Sequence, residues 1–191
     1  KTHQPHRVFL KMNSGMNRLG FTPERFRAAY ARLQALPQVD EISLMTHFSD
    51  ADGDKGIAAQ WALFRRTTDG LPGERSLSNS AAVLRHAQDP AVRGDWGRPG
   101  SAVYGSSPDF PEHDAAHWGL QPSMTLASKL IAVSALPAGA STGYGSIFTA
   151  EAPMRIGVVA CGYAAGYPRH APTGTPVLVG GVRSPALCRA S

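Results

Sequence analysis

The chain has 191 residues, 42% of them hydrophobic, enough for one full domain and part of another. No stretch of about 18 apolar residues suggests a membrane span, and no charged-then-apolar leader opens the chain. Lys and Arg number 19 against 14 Asp and Glu, for a net charge of +5; the basic residues are scattered, so a small anionic ligand explains them at least as well as a nucleic-acid surface.

In chain order, "RVFLKM" reads as a buried strand that ends on a lysine, Lys11. A polar turn carrying Arg18 follows. "TPERFRAAYARLQAL" reads as a helix, with Thr22 as N-cap, Pro23 in the first turn, Phe26, Tyr30 and Leu33 on one face, and Pro37 as terminator. "EISLMTHF" is a second short strand, ending at polar His47. "GIAAQWALFRRT" sets Ile57, Trp61 and Phe64 at helical spacing. "RSLSNSAAVLRHA" reads as strand, tight Ser-Asn-Ser turn and helix start, and "GRPGSAVYG" as a glycine-bounded strand or turn. Alternating strands and helices imply βαβ units and a parallel sheet, whose ligand-facing residues follow the strand ends.

The texture changes at "GSSPDFPEHDAAHWG", a proline-rich stretch that marks a domain boundary near residue 118. Beyond it "MTLASKLIAVSAL", "MRIGVVACGY" and "TPVLVGGVR" are β-branched runs between glycines, so residues 119–191 are expected to be mostly β. The two cysteines, Cys161 and Cys188, have no CxxC spacing, which argues against a zinc site or a disulfide framework and for a cytoplasmic protein. The chain opens on Lys1 rather than methionine, so a missing start is expected.

Polar groups gather where the strands of the first part end: Lys11 with Arg18, His47, Asn79 with Ser80, and Arg98. Singly, each has an ordinary structural reading: a snorkelling lysine, a hydrogen-bonded histidine, an N-cap, a turn. Together they suit a phosphorylated ligand. "SNSAA" offers a hydroxyl and free amides at a helix start, Gly100 and Ser101 offer more amides, and the arginines hold a carboxylate or a ring nitrogen. In the second part "STGYGSIFTAE" and "ACGYAAGYPRHA" set tyrosines among glycines. These read as β-turns with edge tyrosines or as close approaches of backbone to a ligand.

The segments "LKMNSGMNRLGF", "MTHFSDAD", "SNSAA", "RPGSAVYG", "GYGSIFTAE" and "GYAAGYPR", in that order, resemble the alanine racemases, pyridoxal-phosphate (PLP) enzymes. The resemblance implies an α/β fold, a partial TIM (β/α)8-like barrel over residues 1–118 followed by part of a mostly-β C-terminal domain over 119–191. It implies PLP as cofactor, alanine as substrate, and a homodimer with a shared active site, with no nucleic acid or membrane partner. Arg18 is expected to bind the substrate carboxylate, with Tyr163 lining the same site. Lys11 matches a position that is carbamylated in some members. Ser80, Gly100 and Ser101 are expected at the phosphate, Arg98 at the pyridine nitrogen, His47 beside Arg98, and Tyr144 as the catalytic tyrosine reaching across the dimer. Metal ligands are not expected. No counterpart of the family's PLP-anchoring lysine motif occurs, Ala165 stands where the family usually has aspartate, and "SPALCRAS" matches loosely. A central fragment lacking both ends, poorly soluble and inactive alone, is therefore expected. The alternatives are a broad-specificity amino-acid racemase or a non-catalytic remnant.

Overall fold

The computed structural model describes residues 5–187, so Cys188 and the end of "SPALCRAS" lie outside the described residues. The chain divides into two compact units, Lys1–Met124 and Thr125–Ser191.

The first unit is a four-stranded parallel sheet in the order β1-β2-β3-β4, formed by His6–Lys11, Val39–Met45, Arg75–Asn79 and Trp96–Arg98. Helices α1 (Pro23–Gln34) and α2 (Ala58–Thr68) make the first two crossovers. Short helices α3 (Ser80–Arg85) and α4 (Pro90–Arg93) make the third, and α5 (Gly100–Val103) follows β4. Parallel strands need such crossovers, and the helices cover one face of the sheet. Three strand spacings separate β1 from β4, about 14 Å in a flat sheet. Yet the rings of Phe9 and Trp96, one on each outer strand, meet edge-on at 6.4 Å. The sheet is therefore strongly curved, as in part of a (β/α)8 barrel.

The core lies between sheet and helices. Leu10, Leu44 and Leu77 from successive strands are buried against Phe26 and Tyr30 of α1 and Phe64 of α2. Trp61 stacks on Phe64 with centroids 6.1 Å apart. Thr22 starts α1 as expected and Pro23 sits in its first turn, but the Thr22 hydroxyl caps no backbone amide. It donates instead to Glu24, whose carboxyl is held below its ordinary range first by a backbone hydrogen bond at Glu24 itself and then by Thr22. The sequence reading missed α4, whose Asp89 cap accepts from the Ala91 amide ahead of Pro90. Its four residues are too few to show helical periodicity.

The proline-rich stretch folds into a compact knot of turns. The Asp109 side chain, only 1% exposed, accepts hydrogen bonds from Trp118 Nε1, Ser107 Oγ and His113 Nδ1, each at 2.8 Å. Burial alone raises its pKa; these donors overcome that and hold the carboxyl down at about 2.

The second unit consists of antiparallel pairs. Strand β5 (Leu130–Leu136) pairs with β8 (Met154–Val159), and β6 (Ser141–Thr142) with β7 (Phe148–Thr149). Strand β9 (Pro176–Val179) pairs with β10 (Val182–Pro185) through Gly180 and Gly181, at φ of 57° and 84°, the left-handed pair that a two-residue hairpin turn requires. The mostly-β expectation for this part agrees with these pairs. Ile131, Val133, Val158, Leu178 and Val182 are exposed.

Two outcomes follow for stability. Phe26→Ala, which empties a fully buried site, is expected to cost about 3–5 kcal/mol in urea unfolding. Asp109 has a depressed folded-state pKa, so its contribution is complete above the unfolded value near 4 and is lost as pH falls toward 2. Asp109→Asn is expected to flatten the acid limb of a stability–pH curve in that window.

Candidate active site

The site is built at the C-terminal ends of the parallel strands. After β1 the chain makes a closed excursion and returns. Phe21 N donates to Lys11 O and Asn13 N to Phe21 O, both at 2.8 Å. Inside the excursion Asn13 Oδ1 accepts from the amides of Gly15 and Asn17, and Asn17 adopts φ +57°. Gly20 closes it at φ +122°, where a Cβ would lie 2.8–2.9 Å from the backbone of Lys11, Met12 and Asn13. Arg18 is thus carried, exposed, on a loop whose backbone is pinned at both ends.

Buried hydroxyls tie this loop to the next strand. Thr46 Oγ1 donates to Met12 O at 3.0 Å, so Ser14 Oγ donates to Thr46 Oγ1 at 2.7 Å. Gln60, at the start of α2, donates from Nε2 to Ser49 Oγ at 2.7 Å and accepts from Ser49 N at 3.0 Å. The same amide packs on Gly15, where even a Cβ would come within 2.7 Å of it. Gln60 therefore braces the Arg18 loop against the segment that follows His47. Sequence reading missed Ser14, Thr46 and Gln60, because each acts through a partner more than ten residues away.

Arg98, the last residue of β4, reaches into β3 and to the end of β2. Its Nη1 donates to Ser76 Oγ at 2.5 Å; its Nη2 donates to Thr46 O at 2.6 Å and Leu77 O at 3.2 Å, and faces His47 Nδ1 at 3.4 Å. Half-burial holds this guanidinium below its ordinary pKa. A guanidinium has only donors, so His47 Nδ1 accepts and the neutral ring carries its proton on Nε2. That nitrogen stands 3.5 Å from Asn79 Nδ2. Asn79 Oδ1 is committed to the Ala82 amide at 3.0 Å, the N-cap of α3, and its Nδ2 donates to Phe48 O at 3.1 Å. Two donors face each other, so the Nε2 proton keeps its capacity for another acceptor.

The starts of α3 and α5 meet beside this arginine. Ala102 N donates to Ser80 Oγ at 3.2 Å, which leaves the Ser80 proton free to donate. The amides of Gly100 and Ser101 donate to no acceptor among the described residues, as expected for a first helical turn, and the space over Gly100 is open. Every charged group that perturbs this end of the sheet is a cation. Burial first, then Arg18 and Arg98, push the Lys11 ammonium down. Burial, then Arg98, Lys11 and Arg18, push the His47 imidazole down. Such a cluster calls for an anion.

Lys11, Arg18, His47, Ser80, Arg98, Gly100 and Ser101 all belong to the first unit and share this strand-end surface. Tyr144 and Tyr163 belong to the second. Tyr144 is 76% exposed at the tip of the β6–β7 hairpin, between Gly143 and Gly145, both at positive φ. Tyr163 starts a single 3-10 turn, with the Arg169 guanidinium 6.0 Å from its ring centre. Ala165 closes that turn.

Gly20→Ala is expected to cost about 1–3 kcal/mol through backbone strain and to speed hydrogen exchange at the Asn13 and Phe21 amides. His47 has a depressed folded-state pKa, so its contribution is full above about pH 6.5 and is lost as pH falls below it. His47→Asn, which keeps an acceptor near Nδ1 but does not titrate, is expected to flatten the stability–pH slope just below pH 6.5.

Comparison with known proteins gives this geometry its family. Residues 1–108 match the family described as "Alanine racemase, N-terminal domain", and residues 123–191 match "Alanine racemase, C-terminal domain". The chain is 72% identical over 191 residues to the alanine racemase of a Polaromonas species. It is similar to the crystal structure of biosynthetic alanine racemase from Pseudomonas aeruginosa, at 46% identity and a TM-score of 0.81, over 100% of this chain and 52% of that one. It is similar also to alanine racemase from Streptomyces coelicolor A3(2), at 36% identity and a TM-score of 0.83, over 98% of this chain and 51% of that one. All of this chain aligns with 52% of the Polaromonas protein, so it spans about half the length of the curated relatives it matches. By motif, fold and similarity along its whole length, the chain belongs to the alanine racemase family.

Proposed function

We propose that this chain supplies much of the active site of a PLP-dependent racemase that interconverts L- and D-alanine. The observation that carries this reading is the cation cluster at the strand ends. Burial, then Arg18 and Arg98, lower Lys11; burial, then Arg98, Lys11 and Arg18, lower His47; burial alone lowers Arg98; and no carboxylate is among the groups that perturb them. Beside it, the amides of Gly100 and Ser101 and the hydroxyl proton of Ser80 donate to no acceptor among the described residues.

These donors fit PLP group by group. Ser80 and the amides of Gly100 and Ser101 suit its phosphate dianion. The Arg98 Nε–H donates to no acceptor among the described residues, which suits the pyridine nitrogen, an acceptor. When bound, the cofactor withdraws electrons from the substrate's α-carbon and so acidifies its proton. The protein's own groups do the rest. Arg18 clamps the substrate carboxylate and counters the cofactor's phenolic oxygen. Arg98, held in place by Thr46, Ser76 and Leu77, is too strong a base to yield its proton, so it leaves the ring nitrogen unprotonated and limits charge build-up at the α-carbon. Tyr144 holds or moves the α-proton on one face of the substrate, reaching the barrel of a partner subunit in a homodimer. The Nε2 proton of His47 suits the phenolic oxygen of that tyrosine. Tyr163 lines the substrate side.

Racemisation needs a second proton carrier on the opposite face, and the family's PLP-anchoring lysine has no counterpart between residues 1 and 191. This span therefore binds and positions, and does not turn over alanine by itself. Lys11 converted to a carbamate would be an anion able to orient Arg18, and intact-mass measurement on the Lys11 peptide reads this directly. The reaction is an isomerisation; a cytoplasmic protein supplying D-alanine for cell-wall precursors is our reading of its setting.

The test is formation of D-alanine from L-alanine with PLP, using the polypeptide read through the reading frame on both sides of this span. Activity is expected, with Tyr144→Phe lowering kcat by roughly 10²–10⁴-fold. Arg98→Lys is expected to weaken PLP binding, read by cofactor absorbance. No PLP-dependent D-alanine from that polypeptide would sink the assignment, and turnover by residues 1–191 alone would sink the division of roles.

A further inference from the structure

We propose that the knot of turns between α5 and β5 holds a transition-metal site, with His113 and His117 as its two protein ligands and Asp109 as the carboxylate behind the first. The site is separate from the strand-end cluster and does not rest on the racemase reading. It is built by "DFPEHDAAHW", whose His-x-x-x-His spacing puts two imidazoles on one side of a turn.

His113 is already arranged as a ligand. Its Nδ1 donates to buried Asp109 Oδ2 at 2.8 Å, which fixes the tautomer and leaves the Nε2 lone pair directed away from the carboxylate. Carboxylate–histidine pairs of this kind orient metal-bound imidazoles and raise their basicity. Asp109 is itself anchored by Trp118 Nε1 and Ser107 Oγ, and Ser107 Oγ also reaches His113 O at 2.7 Å. Arg85 Nη1 lies 3.6 Å from the same Asp109 oxygen and 3.9 Å from Glu112, so a cation also faces this carboxylate.

His117 is free to complete the pair. Asp114 Oδ1 accepts from the His117 amide at 2.8 Å and fixes the turn, but the exposed ring of His117 makes no hydrogen bond among the described residues. The two imidazole centres are 4.1 Å apart, with planes inclined at 36°. With metal–nitrogen bonds of about 2.1 Å, imidazoles at a right angle hold their centres about 4.6 Å apart, and at the tetrahedral angle about 5.3 Å. The observed spacing is nearer the first, which matches adjacent positions of a square-planar or octahedral ion. That geometry belongs to Cu²⁺ and Ni²⁺ more than to Zn²⁺. Water fills the remaining positions, so the site is exchangeable and of moderate affinity. The Trp118 ring stands 4.7 Å from His117 and 5.5 Å from His113, close enough for a bound paramagnetic ion to quench its fluorescence.

The experiment is titration of the untagged chain with Cu²⁺, Ni²⁺ and Zn²⁺, read by calorimetry and tryptophan fluorescence, beside His117→Ala. His117 is exposed and its ring makes no hydrogen bond among the described residues, only contacts with His113 and Trp118, so the variant is expected to shift the unfolding midpoint by no more than a few degrees. The wild type is expected to bind in the order Cu²⁺ over Ni²⁺ and Zn²⁺, with quenching. Loss of a direct ligand costs more than the roughly 10–100-fold that follows loss of an outer carboxylate, so His117→Ala is expected to lose at least about 100-fold in affinity and one ion in stoichiometry. Counting by difference removes ions bound near His3 and His6. Unchanged affinity and stoichiometry in His117→Ala, or no saturable binding by the wild type, would overturn the proposal.

Discussion

The guanidinium of Arg98 is the interaction on which the site depends. One side chain from the short strand β4 donates into β3 through Ser76 and Leu77, and to the residue after β2 through Thr46. It also fixes which nitrogen of His47 carries a proton. A lysine would supply one point charge where this geometry uses a planar fork. Burial makes the charge costly to hold, and fixed carbonyl and hydroxyl dipoles offset that cost in place of water.

The buried polar residues of the first unit follow the same logic. Ser14, Thr46, Ser76 and Ser78 are buried, and each has a partner in another segment: Ser14 with Thr46, Thr46 with Met12 O, Ser76 with Arg98, Ser78 with Val92 O. Buried hydroxyls without partners would destabilise the fold. With partners, they set the separation of strand ends to within a hydrogen bond's tolerance, which apolar packing does not. The Arg18 loop, the His47 segment and the two helix starts are thereby held as one surface. The aliphatic core below, from Leu10 to Leu77, supplies stability without direction.

The Asp109 knot uses this chemistry at another place and with another sign. There an anion is buried and three donors surround it. At the strand ends the cations gather and no carboxylate is among their perturbing neighbours. An arrangement complete in itself reads as structure, or as a support behind another ligand. An arrangement with unmatched charge reads as a binding surface.

Much of the fold was legible in the sequence because periodicity and punctuation are local. The 3.6-residue spacing of Phe26, Tyr30 and Leu33, the apolar runs ending at Lys11 and near His47, and Asn79 ahead of Ser80 define strands and helices in the order found. Resemblance along six segments named the family. The sequence could not show that β1 and β4 curve until Phe9 meets Trp96, that Gln60 braces Gly15, or that Thr22 turns to Glu24 rather than capping its helix. Nor could it show that His113 and His117 come within 4.1 Å of each other beside a buried carboxylate. Each is a relation between side chains brought together by the backbone path, and hydrogen-bond geometry over a few ångströms has no signature in residue order. The residue types of the site were therefore decided by the sequence alone, and their distances, tautomers and charge balance by the tertiary structure.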